Sequence, residues 1–245
     1  MEILKISDRL MKVASLVHKG ARVADIGTDH GYLPIYLVQN GISEKVYACD
    51  VRKKPLERAH DHISSYGLND NITICLADGL KGIESGMVDT VTICGMGGKL
   101  MQDIIETGKD RLNTGTQLIL SPQSEVRDFR EYLLSNNIGI SEEYVIKEDG
   151  KYYFIMNCVY NRESVHNNEH TYKEEELRYG KYLIDNKSEV LREYLQKEYS
   201  NFANIYGVLK TQNDKKPSAS VEDRLKELEK DIKYNRLAYD AISLN

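Results

Sequence analysis

The stretch Val23-Ala24-Asp25-Ile26-Gly27-Thr28-Asp29-His30-Gly31-Tyr32 decides the fold. It reads as a short apolar strand, an acidic turn with two glycines, and the start of a helix. Such a turn brings bare backbone and a helix N-terminus close to a ligand. The next apolar run, Val46-Tyr47-Ala48-Cys49, ends in Asp50, 25 residues after Asp25. An acid there can accept both hydroxyls of a ribose. The spacing D-x-G-x-x-x-G is loose by itself and takes its meaning from the elements downstream and their order. A nicotinamide-binding turn would carry GxGxxG, which the chain lacks.

Working outward, the first 160 residues alternate strand-like and helix-like segments. Strands are expected at 22–26, 45–50, 71–76, 89–94, 116–121, 140–147 and 152–160, and helices at 6–18, 32–40, 53–66, 97–107 and 125–136. The early strands are continuous apolar runs, as parallel strands buried on both faces require. The alternation predicts a doubly wound α/β sheet. The last two strands are joined by Glu148-Asp149-Gly150-Lys151, whose Asp-Gly pair predicts a hairpin and an antiparallel final strand. Six parallel strands with one inserted antiparallel strand is the Rossmann-like variant used by methyltransferases.

The chain has 245 residues, 41% of them apolar and 29% charged, with a formal charge of -5. No global basic field advertises nucleic acid, although one basic face can coexist with a net acidic chain. Cys49, Cys75, Cys94 and Cys158 are widely spaced without CxxC or Cys/His metal spacing, which predicts buried thiols, no metal site and a reducing compartment. With no signal peptide and no span near 20 apolar residues, the expectation is a cytoplasmic protein without a membrane partner.

Composition shifts after Asn161, giving expected domains at 1–161 and 162–245, with 161–171 a linker. From 172 to 210, Leu177, Ile184, Leu191, Leu195, Phe202, Ile205 and Leu209 fall mostly on heptad spacing, with polar misses at Ser188 and Glu198. Thr211–Pro217 is expected to break the helix, and Ser218 or Ser220 to cap a second one. There Val221, Leu225, Leu228, Ile232, Asn235, Tyr239 and Ile242 alternate spacings of four and three. Two such helices joined by a short loop predict an antiparallel coiled-coil hairpin within one chain, the other option being a dimerisation arm.

The chemistry sits at the strand ends. Asp25 fixes the turn or holds a ligand amine through water, and Gly27 and Gly31 admit backbone to the ligand. Asp78, in Leu76-Ala77-Asp78-Gly79-Leu80, either accepts from an adenine amine or makes a plain Asp-Gly turn. Cys94-Gly95-Met96-Gly97-Gly98 strips side chains from the edge where ligands meet an α/β sheet. Amine-directed nucleic-acid methyltransferases usually carry Asn or Asp followed by Pro-Pro and an aromatic there. The absence of that motif suggests a different acceptor atom. Asp29, His30 and Tyr32 cluster at the mouth, as base-contacting groups or as a cap, a packed imidazole and a core ring.

Several motifs in order carry a resemblance. They are Ser7-Asp8-Arg9-Leu10 with Val13-Ala14, the run Ala24 to Pro34, Ile93 to Gly98, Leu118-Ile119-Leu120-Ser121-Pro122-Gln123, and Glu148 to Tyr153. Over residues 1–160 the chain resembles the TrmK family of bacterial tRNA (adenine-N(1))-methyltransferases, which act on adenine 22 in the D-arm. The resemblance implies a class I methyltransferase sheet, S-adenosylmethionine as cofactor and tRNA as substrate. It implies a cofactor site of Arg9, Asp25, Gly27, Thr28, Gly31, Asp50, Val51, Asp78, Gly79, Gly95, Met96 and Gly97, with Asp29, Tyr32 and Met96 at the reacting base. Arg9, Lys12, Arg52, Lys53, Lys54, Lys99, Arg127 and Arg130 are candidates for a basic rim. Gln123 departs from the family's usual Gln-Pro-Asn ending. A methyltransferase of another RNA, a protein or a small molecule, or a noncatalytic tRNA-binding module, are the alternatives.

Overall fold

The structure is a computed structural model that describes residues 3–162 and 172–244. The chain divides into two compact units, Met1–Asn167 and Asn168–Asn245. Residues 163–171, most of the expected linker, lie outside the described residues.

The first unit runs α1 (Asp8–Leu16), β1 (Val23–Ile26), α2 (Tyr32–Gln39), β2 (Val46–Asp50), α3 (Lys53–Ser65), β3 (Ile72–Leu76), β4 (Thr90–Met96), α4 (Gly98–Gly108), β5 (Gln117–Pro122), α5 (Val126–Ser135), β6 (Ile138–Glu148) and β7 (Lys151–Tyr160). The seven strands form one sheet in the order β3-β2-β1-β4-β5-β7-β6. β1 to β5 are mutually parallel, and β7 pairs antiparallel with both β5 and β6. β6 therefore points the same way as β1 to β5, and the sheet has the expected six parallel strands and one inserted antiparallel strand. The apolar runs are central: every residue of β1 and of β5 is buried. Asp149 and Gly150 both adopt positive φ between β6 and β7, the turn that an Asp-Gly pair favours.

The strand order reverses between β1 and β4, which makes the C-terminal ends of β1, β2 and β4 the switch point of the sheet. Register aligns them, since Ile26 pairs with both Cys49 and Ile93. Gly27, Asp50 and Cys94 thus emerge side by side. Ser7 caps α1 by accepting from the Leu10 N–H.

In the second unit, α6 (Glu174–Tyr179) and α7 (Lys181–Asp185) precede two long helices, α8 (Glu189–Lys215) and α9 (Ala219–Ser243). The first arm is thus not one helix, and two residues explain why. Gly180 leaves helical space at φ +96°, and Lys187 takes φ +50°. Ser188, a polar miss in the heptad pattern, is the N-cap of α8 and accepts from the Leu191 N–H. Nor does the break begin at Thr211. α8 continues to Lys215 and stops where Pro217 forces Lys216 out of the helical region. The arms run antiparallel, with Gln196 bonded to Tyr239 near one end and Tyr206 to Glu229 nearer the connection. Leu191, Leu195, Leu228 and Ile242 are buried, whereas Ile205, expected in the seam, is 44% exposed. Glu198, the other polar miss, accepts from the Tyr179 and Tyr194 hydroxyls and from the Asn235 amide. Among the described residues no helix is long and apolar enough to cross a membrane.

Candidate methyl-donor site

A cavity of about 740 Å³ opens at the switch point. Arg9, Asp25, Gly27, Asp29, Tyr32, Asp50, Gly95 and Met96 line it, eight of the residues singled out from sequence. Each arrives there for a local reason. Gly27, at φ +78°, turns the chain out of β1, and the N–H groups of Gly27 and Thr28 both donate to the Cys49 carbonyl, at 2.8 and 2.9 Å. A side chain on Gly27 would meet the Met96 methyl, since its Cβ would sit 2.0 Å from Met96 Cε. Gly95 adopts φ +80° where the β4–β5 register shifts between Cys94 and Met96. A Cβ there would stand 3.6 Å from Gln123 Nε2 and 3.8 Å from an Arg9 guanidinium nitrogen. Both glycines keep cavity-facing backbone clear of side chains.

The acids divide by environment. Asp25 is buried, and Thr92 Oγ1 donates to it at 2.8 Å. Burial raises its pKa, opposed by the Thr28 and Thr92 hydroxyls. Asp50 is also buried, and its Oδ1 accepts from the Arg52 N–H at 2.7 Å. No described residue is bonded to its other oxygen. Asp29 is exposed and lies 3.5 Å from the His30 ring. Arg9 is held over the Tyr153 ring, 4.7 Å from its centroid, and 3.7 Å from Glu148. Its buried Nε makes no hydrogen bond among the described residues. A guanidinium whose Nε makes no hydrogen bond among the described residues, a buried carboxylate with a free oxygen and two bare glycines fit an amino-acid-plus-nucleoside ligand such as S-adenosylmethionine. Cys94 also lines the cavity, where burial pushes its thiol up to about 12.

Other expected residues stand elsewhere. Gly31 begins α2 in the left-handed region, and its missing side chain makes room for Ile63 rather than for a ligand. Thr28 is buried beside Asp25, outside the lining. Val51 is 63% exposed and also lies outside it. Asp78 is 65% exposed, paired with Lys81 at 2.6 Å, and with Gly79 does not line the cavity. Gly97 does not line the cavity, and a Cβ on it would stand 2.9 Å from Ser124 Oγ in the loop after β5. Arg130 cannot belong to a basic rim. It is fully buried and bonded to Glu143 on β6 at 2.7 Å. Lys99 pairs with Asp103, Arg127 with Glu131, and Lys53 with Glu57. Lys12 lies over the Tyr144 ring.

The lining adds Lys5, Ser7, Arg58 and Gln123. Ser7 and Gln123 belong to the Ser7–Leu10 and Leu118–Gln123 motifs. Lys5 precedes α1, and Arg58 lies inside α3 behind Asp50. Arg58 has only a positional signal, a cation in the helix that follows the strand end at Asp50, and Lys5 has none. Among the described residues no group of three or more His, Cys, Asp and Glu can hold a metal ion.

Comparison with known proteins agrees with this geometry. A methyltransferase-domain family model matches residues 6–156. The chain is 39% identical over 156 residues to the tRNA (adenine(22)-N(1))-methyltransferase of Bacillus subtilis, an alignment covering 64% of this chain and 66% of that protein, just under two thirds of its length. Over longer spans it is similar to the crystal structure of the B. subtilis M1A22 tRNA methyltransferase TrmK, with TM-score 0.84 and 30% identity, covering 97% of this chain and 100% of that one. It is likewise similar to M. capricolum TrmK in complex with S-adenosyl-homocysteine, with TM-score 0.80 and 32% identity, covering 98% of this chain and 100% of that one.

Proposed function

The chain belongs to the TrmK family of methyltransferases, and from that premise we propose that it methylates N(1) of adenine 22 in the D-arm of tRNA, with S-adenosylmethionine as donor. The observation that carries this reading is the cavity at the switch point, lined by Asp50, Gly95, Met96 and Arg9 in a chain that matches TrmK structures end to end.

The cofactor supplies an electrophilic methyl group when bound. Asp50 accepts from the ribose hydroxyls. Arg9 offers its guanidinium to the carboxylate of the amino-acid portion, and Asp25 stabilises the turn that carries Gly27. Gly95 keeps the space beside the donor open to a flat base. N(1) of adenine carries a lone pair and no proton at neutral pH, so no strong base is needed before attack. Catalysis is then mostly positioning. Tyr32 and Met96 contact the face of the base. Asp29 accepts from its exocyclic amine and offsets the positive charge that develops on the ring. The base is stacked in folded tRNA and must be displaced to reach the cavity. Thr28, buried beside Asp25, and Gly31, packed on Ile63, support the turn after β1 from behind. The second unit grips the RNA and contributes selectivity.

The test is direct. Unmodified tRNA incubated with the protein and S-adenosylmethionine should yield 1-methyladenosine on nucleoside mass spectrometry, mapped to position 22. Methylation that does not depend on tRNA would move the enzyme to another substrate class. Absence of cofactor binding by calorimetry would leave only a binding module.

A further inference from the structure

The mouth of the cavity continues outward as a row of four rings. His30 and Tyr32 stack with centroids 5.5 Å apart. Tyr32 meets His62 edge-on at 5.3 Å, and His62 meets Tyr66 at 5.3 Å. Tyr32 lines the cavity and is 38% exposed, while His62 and Tyr66 are half-buried. Arg58, His62 and Tyr66 recur every four residues along α3 and its C-cap, so they form one stripe. The stripe begins at the cavity, because Arg58 lines it. Arg58 is exposed and has no ion-pair partner among the described residues, whereas Arg52 and Lys53 beside it are paired. The row is also fixed in place. His62 Nδ1 donates to the His30 carbonyl at 2.8 Å, which ties α3 to the turn after β1 and sets the His62 tautomer. His30 itself is held at φ +54°, a region non-glycine residues seldom occupy.

Pulling one nucleotide out of a folded RNA leaves its neighbour without a stacking partner. Aromatic rings accept any base face, and a free guanidinium accepts phosphate oxygens. We propose that the His62–Tyr66 stripe is a second base-binding subsite. It receives the nucleotide next to the methylated adenine, whose base stacks on Tyr66 with the His62 ring, at 65° to it, against the base edge, and whose phosphate sits at Arg58. This rests on the RNA methyltransferase reading above and adds a recognition element outside the donor cavity.

The test compares wild type, Tyr66→Leu, Tyr66→Phe and Arg58→Gln. Steady-state methylation of unmodified tRNA is measured with calorimetric S-adenosylmethionine binding and a thermal melt of each protein. Loss of one stacked base predicts a rise of roughly fivefold to a hundredfold in KM for tRNA with Tyr66→Leu. Its kcat and cofactor affinity should stay within about twofold of wild type, and Tyr66→Phe should behave as wild type. Arg58→Gln should raise KM for tRNA and flatten its salt dependence. An unchanged KM in Tyr66→Leu overturns the subsite. So does a loss that tracks a lowered melt or weaker cofactor binding, or one that Phe does not rescue. A wild-type protein that binds cofactor but leaves tRNA unmodified would instead sink the functional reading and the subsite with it.

Discussion

Asp50 is positioned before any ligand arrives, because the Arg52 N–H already holds one of its oxygens. Asp50→Ala should therefore weaken S-adenosylmethionine binding about tenfold or more, from the roughly 1.5–3 kcal/mol of hydrogen bonds to a charged group. Asp50→Asn, which keeps an acceptor without the charge, should fall between. Calorimetry reads both, and unchanged affinity would move the ribose site. Asp25 makes a different prediction, since burial raises its pKa. The folded state binds this proton more tightly than the unfolded chain does. Its stabilising effect is complete below the ordinary carboxylate value of 3.8 and is lost as pH rises through the raised folded value. Asp25→Asn has no such step, so its stability relative to wild type should climb with pH across that window and then level off. Paired denaturant titrations at several pH values check this, and a flat difference would mean Asp25 is not buried as described. At this scale the strand-end residues Asp25, Gly27, Asp50, Gly95 and Met96 are legible in the sequence because an apolar run ending in a polar break marks a strand's C-terminus. The register shift between Cys94 and Met96, where Gly95 sits, is not legible, because a register shift leaves no mark in a linear motif. Arg130 reads as a surface cation because its partner Glu143 lies on another element.

The elements show where periodicity informs and where it misleads. The second arm of the hairpin is legible because its seven seam positions are all at least half-buried. The first arm is legible only from Leu191 onward, and there not at Ile205, which is exposed. Upstream, the heptad spacing of Leu177 and Ile184 runs on through Gly180, whose φ of +96° breaks the helix. Glu198 looks like a flaw in the seam, yet it is the acceptor for two tyrosine hydroxyls and the buried Asn235 amide. Glu198→Leu repairs the heptad pattern and should nevertheless lower stability by about 1–3 kcal/mol, because the hydroxyl of the buried Tyr179 loses its partner. Circular-dichroism melts decide it; a variant that melts higher would make Glu198 an ordinary seam defect. Tyr179→Phe in the Glu198→Leu background should recover part of the loss, since it removes one orphaned hydroxyl.

On the scale of the molecule, the donor cavity belongs wholly to the first unit, and the hairpin carries none of its lining residues. A fragment ending at residue 167 should bind S-adenosylmethionine with near-normal affinity and lose most turnover on tRNA, once a thermal melt has established that it folds. Full turnover at low tRNA concentration would leave the hairpin without a role in substrate capture. The α/β class is legible from alternation alone, and the inserted strand from one Asp-Gly turn. The sheet order has a further consequence, for synthesis. A ribosome finishes β5 well before β7, the strand that covers its outer side, and makes β6 in between. β6 runs parallel to β5, so a nascent chain holding only β6 has a compatible but wrong neighbour within reach. The native order emerges if β6 waits for the Asp149–Gly150 turn and docks together with β7 as one hairpin. The outer edge of β5 stays uncovered from the time β5 leaves the ribosome until the β6–β7 hairpin has left it, and chaperone capture should peak in that interval.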